Sequence, residues 1–164
     1  GTEMGKIIGN GPAAVGKHFN HHRVPVVKNQ SISAYDPRAA QGMGVTYATS
    51  NRGACHVRGY TVSSEVLGIP EKTDPLVTEG KAGLVKAFQD LTAAVDSAGL
   101  CLFTTFAWSA DDIASQIDAA CEGDWSVENC LETGERIWNM ERLFNAEFLA
   151  SKGLALPEWF EPAT

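Results

Sequence analysis

"VTEGKAGLVKAFQDLTAAVDSAGLC", residues 77–101, decides the fold class. Leu84, Phe88, Leu91 and Val95 recur at i, i+4, i+7 and i+11, which puts them on one stripe of a helix over 77–99. Gly99 supplies the left-handed stop that ends such a helix. The end is chemically odd. A helix C-terminus carries roughly half an elementary negative charge, so Asp96 in the last turn is repelled, at a cost of about 0.3–1 kcal/mol. A carboxylate, a glycine and a thiol close together at that end call for a cause.

Working outward, three more stretches carry helical spacing. In "YDPR" (35–38), Asp36 is placed as an N-cap and Pro37 as the first residue of a helix over 37–51. "SADD" (109–112) gives Ser109 and Asp112 the arrangement of a capping box, with Ile113, Ile117 and Cys121 on one stripe behind it. Residues 126–151 repeat the spacing through Ile137, Met140, Phe144 and Phe148 and form the longest helix. "RVPVVKN" (23–29) is strand-like but short, and Pro25 interrupts it. The reading is an all-α, irregular helical bundle with short extended segments at most. It forms one domain over 1–164, and the stretch 68–75 is a connection within it.

Composition limits what such a bundle does. With 164 residues, 44% apolar and 20% charged, the chain is long enough to bury a core and folds. Its net charge of −7 argues against nucleic acid and anionic membranes as partners. No run approaches a membrane span, and the opening "GTEMGKIIGNG" lacks the parts of a signal peptide, so a cytoplasmic setting is expected. In that setting Cys55, Cys101, Cys121 and Cys130, too irregularly spaced for a zinc knuckle, are free thiols or metal ligands.

Two segments carry chemistry. "NRGACHVRG" (51–59) sets two arginines, a cysteine and a histidine between glycines, a composition suited to close backbone approach and to anion recognition. The plainer account makes Gly53 a helix stop, Arg52 and Arg58 solvated, and His56 a surface or satisfied core residue. At 96–101 the plain account is a Schellman ending in which Leu100 packs back, Cys101 is a small buried hydrophobe and Asp96 reaches solvent. The functional account has Asp96 accept paired N–H donors from a heterocycle edge, the Gly99 turn bring backbone N–H groups to it, and Cys101 ligate iron as thiolate. Charge-assisted hydrogen bonds of about 1.5–3 kcal/mol would then offset the dipole cost.

Other candidates carry less. His18, His21 and His22 in "HFNHH" have i, i+3, i+4 spacing that a metal could use, but with no carboxylate or thiolate nearby they read as a solvated helix end. Trp108, Trp125, Trp138 and Trp159 read as core and rim packing. Cys55 reads as a small buried thiol, because adjacent residues such as Cys55 and His56 do not face each other.

"AYDPRAAQGMGVTYATSNRGACHVRGY" (34–60), the D-x-x-G-L-C of 96–101 and "GERIWNMERLFN" (134–145) together resemble the C-terminal part of the tungsten-containing aldehyde ferredoxin oxidoreductase family. The similarity runs from about residue 9 to residue 160. It implies a three-domain oxidoreductase in which two helical domains close over a tungsten held by two pterins beside a 4Fe-4S cluster. This chain would be the C-terminal helical domain. By the resemblance, Asp96, Gly99, Leu100 and Leu102 cradle one pterin, Arg58 also contacts pterin, and Cys101 supplies one cluster thiolate. The resemblance also matches His56 to the family's active-site histidine, placed to hydrogen-bond substrate or a tungsten-bound oxygen. The implied reaction oxidises an aldehyde to a carboxylic acid and passes electrons to ferredoxin. The other implied partners are the upstream domains and, for the parent, a second copy in a homodimer.

The family's three other cluster cysteines, its companion D-x-x-G-L motif and its active-site glutamate have no equivalents here. One thiolate cannot hold a cluster that needs four ligands, so this chain alone is expected to bind neither group and to be inactive. Two alternatives stay open: a catalytically silent helical assembly module, in which Asp96 and Cys101 are structural, and a related tungsten enzyme acting on an aromatic acyl thioester. If the cofactor account holds, the loops at 51–59 and 96–102 must converge and the Cys101 thiol must be accessible.

Overall fold

In chain order the structure, a computed structural model that describes residues 1–153, runs α1 (Glu3–Gly9), α2 (Pro12–His18), a hairpin of β1 (Val26–Val27) and β2 (Gln30–Ser31), and α3 (Gln41–Thr49). A π-helical turn (Ser63–Leu67), α4 (Lys81–Ser97), a 3-10 turn (Leu102–Phe106), α5 (Ala110–Ala120) and α6 (Val127–Ser151) follow. The all-α reading holds, and the extended part is the two-residue hairpin, closed by Lys28 and Asn29 at φ 51° and 63°. Trp159 lies outside the described residues. No helix among the described residues is long and apolar enough to cross a membrane.

α4 is the axis of the bundle. It starts at Lys81, after Gly80 at φ 76°, and buries a broader arc than its apolar stripe: Val85, Thr92, Ala93, Ala94 and Val95 are buried, while Leu84, Phe88 and Leu91 are half-buried. It ends in a Schellman motif, with Gly99 at φ 71°, the Leu100 N–H on the Val95 carbonyl and the Gly99 N–H on the Asp96 carbonyl, both at 3.1 Å. α6 crosses α4 so closely that Gly134 lies against the Asp90 backbone, where a Cβ would stand 1.9 Å from the carbonyl oxygen. Beside this crossing Ala94, Ala114 and Cys130 form one core cluster with Ile117, Trp125 and Val127. A second cluster under α3 gathers Ala40, Met43, Tyr47, Ala54 and Val62.

A buried ion pair joins the π-helical turn to α4. Glu65, with no exposure, lies 2.9 Å from Lys81, itself 5% exposed. The carboxylate also accepts the Gly42 N–H at 2.8 Å and the Thr61 hydroxyl at 2.9 Å, and Lys81 donates to the Asp74 carbonyl at 2.7 Å. Both charges are thus hydrogen-bonded on several sides, which is the condition under which a buried pair is tolerated.

Several expectations change. The helix placed over 37–51 begins at Gln41. Asp36 caps a turn instead, its carbonyl accepting from the Ala39 and Ala40 N–H groups and its side chain from Arg38. The first donors of α3 go to other segments: Gln41 to the Pro75 carbonyl at 2.9 Å and Gly42 to Glu65. The Ser109–Asp112 capping box forms, and Ile113 is fully buried. Cys121 leaves its stripe, because it stands at the C-cap in extended conformation and is exposed. α2 stops at His18, so His21 and His22 lie beyond the helix and all three imidazoles are exposed. Trp108 lies at the rim, 37% exposed.

The largest departure is on α6. Ile137 is half-buried, but Met140, Phe144 and Phe148 are 63%, 69% and 51% exposed and Leu143 beside them 63%, so among the described residues the second half of the apolar stripe covers no core. The second half of α6 instead directs polar groups inward, through Glu141 and Asn145.

Candidate functional site

The loop after α3 is held from both sides. Gly53, at φ 108°, lets the backbone meet the hairpin, and a Cβ there would stand 2.7 Å from the Val27 carbonyl. Ala54 donates its N–H to that carbonyl. On the other side, the Asn51 amide donates to the Trp138 carbonyl at 3.1 Å and to Glu141 at 3.3 Å, and Asn145 donates to the Asn51 carbonyl at 2.8 Å. Thr46 hydrogen-bonds the Gly59 carbonyl at 2.8 Å and fixes the far end.

This anchoring delivers Arg58 to the end of α4. Its side chain is 7% exposed, so the solvated arginine of the plainer account is not what the fold builds. Nη1 donates to Asp96 at 3.2 Å, Nη2 donates to Glu141 of α6, and the guanidinium lies over the Trp138 ring, 5.0 Å from its centroid. The two loops therefore converge. Asp96 has a cation to offset the repulsion of the helix end, though at 43% exposure the Coulomb gain is screened.

Three buried polar atoms at this junction have no hydrogen-bond partner among the described residues: Arg58 Nε, Trp138 Nε1 and Asn51 Oδ1. Two donors and one acceptor, gathered where Asn51, Arg58, Trp138 and Glu141 meet, suit a polar guest such as a water or the edge of a heterocycle. Cys101, next in the chain after the α4 stop at Gly99 and Leu100, is exposed at the start of the 3-10 turn, and the other three cysteines are likewise free. Gly99 is exposed, and Leu100 and Leu102 are half-buried. The N–H groups of Gly99 and Leu100 are consumed in the Schellman bonds, so those two do not project toward a ligand. Among the described residues no three His, Cys, Asp or Glu side chains are gathered into a set that could hold a metal ion.

His56 sits in an aromatic setting. Its ring centroid is 5.7 Å from that of Tyr35 and 5.8 Å from that of Tyr60, and its Nδ1 is 2.6 Å from the Ser33 hydroxyl. Burial and then the nearby Arg52 charge push the imidazole below its ordinary pKa, which keeps it neutral around pH 7. Tyr60, bonded to the Tyr35 hydroxyl at 2.8 Å, is pushed up to about 12 by burial and by that bond, and stays a phenol. Its ring meets Phe106 of the 3-10 turn at 5.7 Å, which links the His56 pocket to the Cys101 segment. Cys55 is a buried thiol receiving the Arg52 guanidinium at 3.0 and 3.3 Å.

Glu141, Trp138 and Asn51 complete the Arg58 junction, and Ser33, Tyr35 and Tyr60 surround His56. None was singled out from the sequence as a site residue. Asn51, Tyr35, Tyr60, Trp138 and Glu141 lie inside the stretches that carry the family resemblance, which is the signal that could have found them.

Tungsten-containing aldehyde ferredoxin oxidoreductase from Pyrococcus abyssi is 50% identical over 144 residues, covering 87% of this chain and 24% of that protein. The protein of the same name from Thermococcus kodakarensis is 44% identical over 162 residues, 96% of this chain and 27% of its own length. The chain thus spans about a quarter of the length of the curated relatives it matches. The family model described as aldehyde ferredoxin oxidoreductase, domains 2 and 3, matches residues 1–164, and the chain belongs to that family.

Proposed function

We propose that this chain forms the C-terminal helical domain of a cytoplasmic tungstopterin and iron–sulfur oxidoreductase that converts aldehydes to carboxylic acids with ferredoxin as electron acceptor. The observation that carries the reading is the junction of Arg58, Asp96 and three unpartnered buried polar atoms beside an exposed Cys101. These residues fit the group. Arg58 Nε, Trp138 Nε1 and Asn51 Oδ1 offer two donors and an acceptor for a pterin edge, with the half-exposed Asp96 carboxylate beside them; Gly99, Leu100 and Leu102 form the adjoining step, and Cys101 supplies one cluster thiolate. Bound there, the tungstopterin would supply two-electron redox chemistry and Lewis acidity, and the cluster one-electron transfer. His56, neutral and half-buried, handles the substrate proton.

The remaining cluster ligands must come from outside the chain, so the 164 residues alone are inactive. Upstream domains, ferredoxin and a second copy of the parent are the partners of this reading, and the exposed α6 stripe of Met140, Leu143, Phe144 and Phe148 supports an enclosing protein. One observation favours a silent structural module: Arg58, Asp96 and Glu141 already form an ion network without a ligand.

Elemental analysis separates the two. A full-length protein containing this segment should hold about four cluster irons and one tungsten, losing iron with Cys101→Ser and tungsten with Arg58→Met. The 164-residue chain should hold neither metal. Unchanged iron, tungsten and aldehyde oxidation in both full-length variants would leave the silent module as the reading.

A further inference from the structure

Glu141 lies 83 positions from Arg58 and 90 from Asn51, yet one of its oxygens takes a hydrogen bond from each. Oε2 accepts from Nη2 of Arg58 and, at 3.3 Å, from Nδ2 of Asn51. Both directions are forced. A guanidinium has no acceptor, so Arg58 can only donate. The Asn51 amide faces two groups that only accept, Glu141 and the Trp138 carbonyl at 3.1 Å, so its nitrogen turns toward them and its Oδ1 away. With Nη1 of Arg58 on Asp96 and Nη2 on Glu141, Nε is left as the uncommitted donor. The second donor is Nε1 of Trp138, whose ring lies under the guanidinium. Trp138, Glu141 and Asn145 stand at i, i+3 and i+7 of α6, so one helix face supplies the ring, the carboxylate and the anchor on the Asn51 carbonyl.

We propose that Glu141 is a positioning residue of this junction: by holding Arg58 and Asn51 with one oxygen, it fixes which atoms are left for a guest, two N–H donors and one amide oxygen. The inference rests on the reading of the junction as a pterin-binding site, and it adds how the pattern of that site is set. An incoming heterocycle edge has to offer two acceptors and one donor. Reach rather than charge is what the task requires. Glu141 is 40% exposed, so its charge is screened, and Asp96 already gives Arg58 a counter-charge. A neutral oxygen at the same place would orient both donors equally well, whereas a carboxylate set further back would orient neither.

Two measurements test it, one of them without the cofactor. In the chain labelled with 15N-arginine, the Nε–H signal of Arg58, assigned by its loss in Arg58→Met, should be sharp and slow to exchange at neutral pH, because the side chain is 7% exposed and both Nη atoms are bound. Glu141→Gln keeps the reach and drops the charge, and should leave that signal in place. Glu141→Asp keeps the charge and draws the oxygens back by one methylene, and should broaden the signal and speed its exchange. Both variants are close in size to glutamate, so neither empties the junction. In a full-length protein containing this segment, Glu141→Asp should lower the tungsten retained per iron about tenfold, the worth of one charge-assisted hydrogen bond, while Glu141→Gln retains it. An ordinary ion pair would give the opposite order, since it depends on charge. A signal or a tungsten content lost in Glu141→Gln, or kept in Glu141→Asp, overturns the proposal. Failure of the pterin reading shows differently, as tungsten retained by Arg58→Met while the Nε–H signal still distinguishes the two Glu141 variants.

Discussion

Replacing Gly134 by alanine should destabilise the chain even though alanine is the better helix former. In the interior of α6 the substitution gains about 1 kcal/mol of helix propensity. The added methyl would stand 1.9 Å from the Asp90 carbonyl oxygen and 2.8 Å from its Cα, where ordinary contact begins at 3.4 Å. The obstacle is backbone, not a flexible side chain, so α4 and α6 must part by about 1.5 Å, which puts the overpacking cost near the top of its usual range, about 3 kcal/mol. The net loss is about 2 kcal/mol, or about 4–8 °C in Tm for a chain of this size. Gly83 provides the internal control. It lies in the first turn of α4 with nothing within 4 Å of a Cβ, so Gly83→Ala should stabilise by about 0.5–1 kcal/mol. Thermal and urea unfolding of both variants, side by side, give the test. A Gly134→Ala chain as stable as the parent would mean that the α4–α6 crossing is not as close as described.

Three further outcomes are expected. Asp96→Asn should be nearly neutral, because relief of about 0.3–1 kcal/mol at the helix end opposes loss of a half-exposed ion pair of similar size, whereas Glu141→Gln, in mid-helix, has no such relief and should cost about 1 kcal/mol; urea unfolding showing the reverse order would refute the assignment of Arg58's partners. Alkylation of the native chain should modify Cys101 and Cys121 first, with Cys55 and Cys130 waiting for unfolding, since both are buried and burial pushes the Cys130 thiol pKa up; mass spectrometry showing Cys130 ahead of Cys101 would contradict the exposure of the latter. Because the folded His56 has a lowered pKa, the unfolded chain takes up a proton near pH 6.5 that the folded chain refuses, so stability should fall as pH drops from there through the lower folded value, and His56→Gln should flatten that slope; identical slopes would exclude His56 as its source.

Helix identity was legible wherever a cap and a period agreed. Ser109 with Asp112 marks a start that the backbone honours, and Gly99 marks the stop; the spacing over 126–151 places α6, whose Ser126 cap the structure adds. The period located the stripe on α6 but not what it meets, because Met140 and Phe144 repeat at the same spacing whether they cover a core or a surface. Asp36 and Pro37 carry a helix-start signal, yet the first donors of α3 are satisfied by Pro75 and Glu65, which local pattern cannot reveal. The site divides the same way. His56, Arg58, Asp96 and Cys101 sit in short recognisable stretches, whereas Glu141 reaches Arg58 across 83 positions and Ser33 reaches His56 across 23, and no spacing rule spans such distances.

Glu65 and Lys81 stand at the two ends of the segment 66–80, much of which is exposed, including Leu76 at 63%. Lifting that segment away would take the Asp74 carbonyl from the buried Lys81, the Pro75 carbonyl from the Gln41 amide and the Lys72 ammonium from the Glu65 carbonyl, and would uncover the Glu65–Lys81 pair and the Gly42 amide bonded to it. Shallow opening of the loop is therefore penalised nearly as heavily as melting the helices on either side of it. The Gly42 amide should exchange its hydrogen only when the whole chain unfolds, and a protease that finds Leu76 on the surface has no locally frayed state to cut. A stretch that looks like a surface connector is kinetically part of the core.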